Sequence, residues 1–295
     1  MTTTTSAIRV RDLRKAYGGA PAVDGVDLDI ASGEVFALLG PNGAGKTTTV
    51  EILEGYRDRD AGEVSVLDTD PGRPSAGWRS RIGIVLQSSG GHDELTVDEL
   101  VGYFAAYYPD PRDPAEVIAA VGLTEKRATR ARHLSGGQRR RLDVALGILG
   151  NPELLFLDEP TTGFDPEARR EFWALIDSLA HDGTTILLTT HYLDEAEHLA
   201  DRVGVISRGR IVAVDTPARL GGRAEQQAVV RWTDAGQDHH TETAEPTRVV
   251  AELAARFDGE IPGLTVVRPT LEDVYLRLIG SEAGLAERDL EREPA

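Results

Sequence analysis

The chain has 295 residues, 40% of them hydrophobic, and a formal net charge of −17; that length suits one large domain plus a small one, and the acidic balance argues against a primary role on nucleic acid. It has no cysteine, which excludes disulfides and thiolate metal sites. No apolar stretch approaches the roughly 20 residues that span a bilayer, and the threonine-rich start, Met1 to Ser6, lacks a basic-then-apolar leader pattern, so a soluble cytoplasmic protein is expected.

In chain order, Ile8 to Asp12 and Val26 to Ile30 read as strands of an antiparallel β layer. Val35 to Leu39 is short and apolar, as a buried strand is. It runs into Gly40-Pro41-Asn42-Gly43-Ala44-Gly45-Lys46-Thr47, followed by Thr48. The spacing G-x-x-x-x-G-K-T is that of a phosphate-binding P-loop. Its glycines let the backbone N–H groups point inward, and the helix that opens near Lys46 turns its positive dipole end to the same place. Lys46 adds a point charge for the outer phosphates, and the Thr47 hydroxyl can ligate Mg²⁺. A plain glycine-rich turn is the alternative, but every fixed position is met, with a strand before and a helix after. The motif points to a chain that handles a nucleoside triphosphate.

The helix Thr47 to Glu54 has Gly55 placed to end it, and Ile82 to Leu86 is another short apolar strand. From about His92 to Leu149 the pattern turns helical: Val97 to Tyr107, Pro114 to Val121 and Gly137 to Leu149. Leu154 to Leu157, Thr185 to Thr189 and Val203 to Ser207 read as buried strands, with helices Glu167 to Ala180 and Leu193 to Ala200. Strands alternating with helices predict an α/β fold with a mostly parallel core sheet covered on both faces. In Leu154-Leu155-Phe156-Leu157-Asp158-Glu159 the four apolar residues bury a strand, and Asp158 emerges at its carboxyl end, where α/β sheets bind ligands. Asp158 is placed to hold Mg²⁺ through water, the Walker B role, and a carboxylate at Glu159 can take a proton from an attacking water.

Leu134-Ser135-Gly136-Gly137-Gln138 is the signature pentapeptide of ATP-binding cassette (ABC) proteins, and the chain resembles that family from about residue 7 to 217. The resemblance implies a P-loop NTPase cassette with an antiparallel β layer and a helical signature subdomain at about 92–149. It carries further roles onto residues in the family's order. Tyr17 matches the aromatic that stacks on adenine, Gln87 the glutamine that reaches metal and attacking water, and His191 the histidine that contacts the γ-phosphate. Gly163-Phe164-Asp165 matches the loop that crosses the dimer interface, with Phe164 where the family usually has leucine. Ser135 opens a helix, so its hydroxyl and the Gly136 and Gly137 amides form an anion site. In the family's arrangement that site closes on ATP held by a second cassette, so a dimer, expected to be of identical chains, is the implied working unit.

The arginines Arg127, Arg130, Arg132, Arg139, Arg140 and Arg141 crowd the signature without interleaved aromatics. They read as a solvated helix face or as partners of acidic neighbours rather than a nucleic-acid patch. His239-His240 reads as exposed loop. After Pro217 the composition shifts. Gly221-Gly222 reads as a linker, Ala228 to Trp232 and Leu264 to Val267 as strands, and Thr247 to Phe257 and Leu271 to Ile279 as helices. A small α+β accessory domain is expected at 222–280, then a charged tail at 281–295. Pro269-Thr270-Leu271-Glu272-Asp273-Val274-Tyr275-Leu276 and the run Ser135 to Ala145 resemble cassettes of drug-resistance exporters of the daunorubicin type. That resemblance implies ATP hydrolysis powering export through separate membrane subunits, with the chain peripheral on the cytoplasmic face of the membrane. Cassettes acting on ribosomes usually carry two copies per chain, and chromosome-maintenance cassettes split P-loop and signature with a long coiled coil. Neither pattern occurs here.

Overall fold

Strands β1 (Ser6–Tyr17) and β2 (Ala20–Ala31) form a hairpin because apolar residues recur at every second position: Val26, Leu28 and Ile30 face inward while Asp27 and Asp29 face out. The computed structural model describes residues 5–85, 93–257 and 259–290, with the backbone alone described at 224 and 281–290. The predicted site residue Gln87, and the strand end at Leu86, lie outside the described residues. The chain divides into two compact units, Met1–Val214 and Asp215–Ala295.

In the first unit β3 (Val35–Leu39), α1 (Lys46–Leu53), β4 (Ala61–Val66), α2 (Ala76–Arg79) and β5 (Ile82–Val85) follow the hairpin. Next come the helices α3 (Val97–Ala105), α4 (Pro114–Ala120) and α5 (Gly136–Ile148). The unit continues through β6 (Leu154–Asp158), α6 (Pro166–His181), β7 (Thr185–Thr190), α7 (Leu193–Leu199) and β8 (Arg202–Ser207) into β9 (Arg210–Asp215). One sheet has the order β2-β1-β4, and the other, six-stranded, runs β5-β6-β7-β3-β8-β9. β3, β6 and β7 pair in parallel and are buried on both faces, which explains their unbroken apolar runs. Ile8, Val26, Ile30, Phe36, Leu38, Leu53 and Phe156 belong to one apolar core that joins the two sheets. The consequence for function is positional: β3 and β6 flank β7, so their carboxyl ends deliver the P-loop and the Asp158–Glu159 corner side by side.

In the second unit β10 (Ala228–Asp234), β11 (Gln237–Thr243), α8 (Pro246–Phe257), β12 (Thr265–Val267) and α9 (Leu271–Leu290) build a small α+β fold. Its sheet order is β11-β10-β12, and its core is Val230, Leu253 and Ile261. Three strands of the molecule escaped the sequence reading: β4, β9 and β11. The last overturns the loop reading of His239-His240. The two histidines are exposed, but they sit in a strand paired with β10 along its whole length. The hairpin turns on Ala235 and Gly236, both at positive φ (50° and 81°), as a two-residue turn requires. A second correction concerns the tail, because α9 continues past Ile279 to Leu290. The face that Leu271, Val274 and Leu278 make on α9 is turned within its own unit: a Cβ on Gly221 would lie 2.7 Å from Val274 Cγ1 and 3.6 Å from Leu278 Cδ1. No helix among the described residues is long and apolar enough to cross a membrane.

Candidate nucleotide site

The P-loop takes its shape from two glycines that nothing else can replace. Gly45 sits at φ 105°, where a Cβ would lie 2.4 Å from the Ala22 carbonyl oxygen, and a Cβ on Gly40 would lie 2.4 Å from the Ile206 carbonyl oxygen. Only glycine allows both close approaches. Gly45 is the N-cap of α1, so the first amides of that helix face the loop. Lys46 is buried and donates to the Gly40 and Pro41 carbonyls at 2.6 and 3.2 Å. Burial pushes its ammonium below the usual lysine value, while Glu159 and Asp158 pull it back up. Asn42, Gly43, Gly45, Lys46, Thr47 and Thr48 line a cavity of about 550 Å³ whose further walls include Tyr17, Ala22, Asp158 and Glu159. Ala44 lies buried beneath the loop, and Pro41 is exposed. Tyr17 is 42% exposed, with the Arg57 guanidinium 5.3 Å from its ring centre.

Opposite the loop, β6 ends in a corner. Thr189 lies across from Asp158 in the β6–β7 register, and its hydroxyl donates to Asp158 Oδ1 at 2.5 Å. Glu159 occupies the left-handed region at φ 43°, a conformation that costs a non-glycine residue on the order of 1–3 kcal/mol. Its N–H is held by the Thr189 carbonyl at 3.0 Å, which fixes the strained turn. His191, just beyond β7, brings Nδ1 to 3.3 Å from Glu159 Oε1. The residues fit a nucleoside triphosphate with a divalent cation. Amides and a buried ammonium suit phosphates, while Thr47, Thr48 and Asp158 offer the oxygen donors a hard cation takes.

The signature lies in a different place. Ser135 caps α5 and forms a reciprocal capping box with Gln138, at 3.3 and 3.1 Å. Asp165 caps α6 by accepting from Glu167 and Ala168. Ser135, Gly137, Gln138 and Asp165 line a second cavity of about 240 Å³, which shares no described lining residue with the first. Gly136 is exposed at the opening of α5. Phe164 packs edge-on against Phe172 at 5.7 Å.

The arginine cluster resolves into ion pairs and one exception. Arg127 pairs with Asp98, Arg130 and Arg132 with Glu94, Arg139 with Asp93, and Arg141 with Glu171. Arg140 instead turns inward, corrects the picture of a wholly solvated face, and donates to the carbonyls of Asp158 (2.7 Å) and Pro160 (3.0 Å). It ties the signature helix to the Glu159 corner, a function hidden in a run of four basic and amide residues. Arg140→Ala removes the side-chain donor to these two carbonyls, so it is expected to cost roughly 2–4 kcal/mol in urea unfolding and to slow turnover. Unchanged unfolding and turnover would contradict that link.

A third cavity, about 610 Å³, opens between α3, α5 and β5, with Ile82, Val85, Phe104 and Leu146 in its walls and Glu54 and Asp143 among its polar lining. Burial pushes the Glu54 carboxyl from 4.5 up to about 8, with Asp158 and Glu51 adding to the rise. The folded state therefore keeps a proton that the unfolded chain has released, and stability falls as pH rises from about 4.5 to about 8. Glu54→Gln removes that fall. The stability difference between variant and wild type is expected to shift by roughly 2–4 kcal/mol between pH 5 and 8, and parallel pH profiles would contradict it.

Of the site residues expected from sequence, the P-loop, Tyr17, Asp158, Glu159 and His191 come together, while Ser135 to Gln138 and Asp165 gather elsewhere. Thr189, Arg140 and Ala22 were missed. Thr189 has a signal, the β6–β7 register; the other two have none in a single sequence. Residues 23–162 match the ABC transporter family. The daunorubicin/doxorubicin resistance ATP-binding protein DrrA of Streptomyces peucetius is 36% identical over 95% of this chain and 94% of that one. The Nod factor export ATP-binding protein I of Rhizobium sp. (strain N33) is 37% identical over 94% and 98%. The ADP conformation of MJ1267, an ATP-binding cassette of an ABC transporter, superposes with a TM-score of 0.65 at 25% identity, over 72% and 92%.

Proposed function

The chain belongs to the ABC transporter family of ATP-binding proteins, and from that membership we propose that it is the ATP-hydrolysing subunit of an exporter, acting as a pair of cassettes on separate multi-span membrane subunits. The observation that carries this reading is the separation of the P-loop cavity from the signature cavity. One chain holds both halves of a phosphate site without joining them, which favours two copies, head to tail, with the P-loop of one facing Ser135, Gly136, Gly137 and Gln138 of the other. Asp165, beside the signature, would then lie at the seam.

In this reading Tyr17 stacks on the adenine of ATP, the loop Gly40 to Thr48 binds the phosphates, and Lys46 meets the outer oxygens. Thr47, with Asp158 acting through water and Gln87 approaching from outside the described residues, would hold Mg²⁺, which neutralises charge that builds on the transferring phosphate. Glu159 accepts the proton of the attacking water, leaving hydroxide to take the γ-phosphoryl group and ADP to depart. His191, 3.3 Å from Glu159, would contact the γ-phosphate and hold the carboxylate. ATP thus favours the closed pair and hydrolysis opens it.

We assign this work to residues 7–217, and an accessory role to 222–280. The membrane subunits would dock at the groove between α3, α5 and β5, on the cytoplasmic face. Export, rather than import, is supported by the two relatives' names, one a drug-resistance protein and one a Nod factor exporter. The experiment is co-expression with the protein encoded by the adjoining reading frame, which this reading expects to be a multi-span membrane protein. A detergent-stable complex holding two copies of this chain, with ATPase activity altered by the membrane protein, is expected. A chain that purifies alone, with turnover indifferent to that protein, would contradict the reading.

A further inference from the structure

Arg57 is tied to the P-loop helix and to Tyr17 at once. Gly55, at φ 72°, follows the end of α1 and turns the chain back on the helix. The Arg57 N–H then reaches the Glu51 carbonyl at 3.1 Å. Its side chain donates from Nε to Glu51 Oε2 at 2.6 Å, and its guanidinium lies 5.3 Å from the centre of the Tyr17 ring. Glu51 belongs to α1, whose first residues Lys46, Thr47 and Thr48 line the nucleotide cavity. Tyr17 ends β1, in the three-stranded sheet β2-β1-β4. Arg57 therefore joins the helix that presents the phosphate-binding groups to an aromatic ring carried by a separate sheet.

The rest of the loop between α1 and β4 works in the same direction. Asp60 holds the Lys15 ammonium at 2.7 Å and accepts from the Ala16 N–H at 2.8 Å, and Lys15 Nζ lies 5.8 Å from the Tyr17 ring centre. The loop thus supports the end of β1 at Lys15, Ala16 and Tyr17. Tyr17 lines the nucleotide cavity, whereas neither Arg57 nor Lys15 is among its described lining residues. The ring is part of the wall and the two cations stand outside it. Tyr17 is exposed, so burial does not hold its ring. The Arg57–Glu51 pair is itself open to solvent, and such pairs add little to folding, so a stability role does not account for the arrangement.

We propose that Arg57 is a positioning residue for the nucleotide base: it fixes the Tyr17 ring against α1, so that a purine stacks on that ring at a set distance from the phosphates bound at Lys46. The inference rests on the reading of Tyr17 as the surface on which adenine stacks, and adds to it the residue that holds the surface in place. A cation close to an aromatic ring is attracted by its π face. A ring ordered in advance gives up no freedom when the base arrives, which favours binding. Because Arg57 stands outside the cavity, its effect reaches the ligand through Tyr17 and therefore through the base.

The test compares the full chain as wild type, Arg57→Ala, Tyr17→Ala and the double variant. Each is titrated calorimetrically with a non-hydrolysable ATP analogue and, separately, with inorganic tripolyphosphate, which carries the phosphates without the base. An exposed cation–π contact corresponds to roughly two- to fivefold in affinity, and the lost ordering of the ring adds to it. Arg57→Ala is expected to bind the ATP analogue at least about threefold more weakly, and tripolyphosphate as tightly as wild type. Its KM for ATP should rise while kcat at saturating ATP stays within about twofold of wild type. The double variant should bind the analogue no more weakly than Tyr17→Ala alone. An equal loss for both ligands overturns the inference, by making Arg57 a support of the P-loop through Glu51. Losses that add in the double variant overturn it as well. A smaller loss than about threefold in Arg57→Ala, with Tyr17→Ala clearly weakened, overturns it and leaves the stacking role of Tyr17 standing. If Tyr17→Ala binds the analogue as tightly as wild type, the stacking reading itself fails and takes this inference with it.

Discussion

Lys46→Ala is expected to abolish detectable ATP binding and hydrolysis. The Lys46 ammonium is buried beneath the loop and, among the described residues, donates to the Gly40 and Pro41 carbonyls, with Glu159 and Asp158 attracting its charge. A phosphate in the loop would replace two neutral acceptors with charged ones, and charge-assisted contacts are roughly twice as strong as neutral ones. Burial already presses the lysine towards its neutral form, so the fold carries this charge at a cost. The alanine variant is therefore expected to stay folded while inactive. Equilibrium binding of a fluorescent ATP analogue and phosphate release both read the result. Turnover at the wild-type rate would contradict the assignment of the loop.

Glu159→Gln is expected to keep ATP bound and to lower turnover about 10²–10⁴-fold, or roughly 3–5 kcal/mol of barrier. Glutamine keeps the size and the hydrogen bonding of the side chain but cannot take a proton from water. The backbone at φ 43° is held from outside, by the Thr189 carbonyl, so the corner keeps its shape in the variant. With hydrolysis stopped, the ATP-bound pair of chains should persist and appear as a species of doubled mass in light scattering. Turnover near the wild-type rate would remove Glu159 from the role of base. His191 would then be the next group to examine, because its Nδ1 lies 3.3 Å from the same carboxylate.

Much of this was legible in the chain because each legible element declares itself locally. β3, β6 and β7 are buried on both faces and so read as continuous apolar runs, and the P-loop is a fixed spacing whose glycines answer to steric contacts with Ala22 and Ile206. α3 and α5 carry their own caps, Thr96 with Glu99 and Ser135 with Gln138. What stayed hidden is set by partners distant in sequence. β11 is almost wholly polar and is a strand only because β10 pairs with it. Arg140 looks like its neighbours and differs only in facing Asp158 and Pro160. Glu54 looks like an ordinary helix-end acid until burial is known.

The central claim is that ATP is held between the P-loop of one chain and the signature of another. The absence of cysteine from the sequence allows a direct measurement. Two versions of the Glu159→Gln chain are prepared, one with Asn42→Cys in the P-loop and one with Ser135→Cys in the signature, then mixed and treated with a short bis-maleimide. A cross-linked product of doubled mass is expected only when both versions are present, and to increase strongly when ATP and Mg²⁺ are added. Equal cross-linking with and without ATP, or none in the mixture while each version still binds ATP, would contradict a shared site.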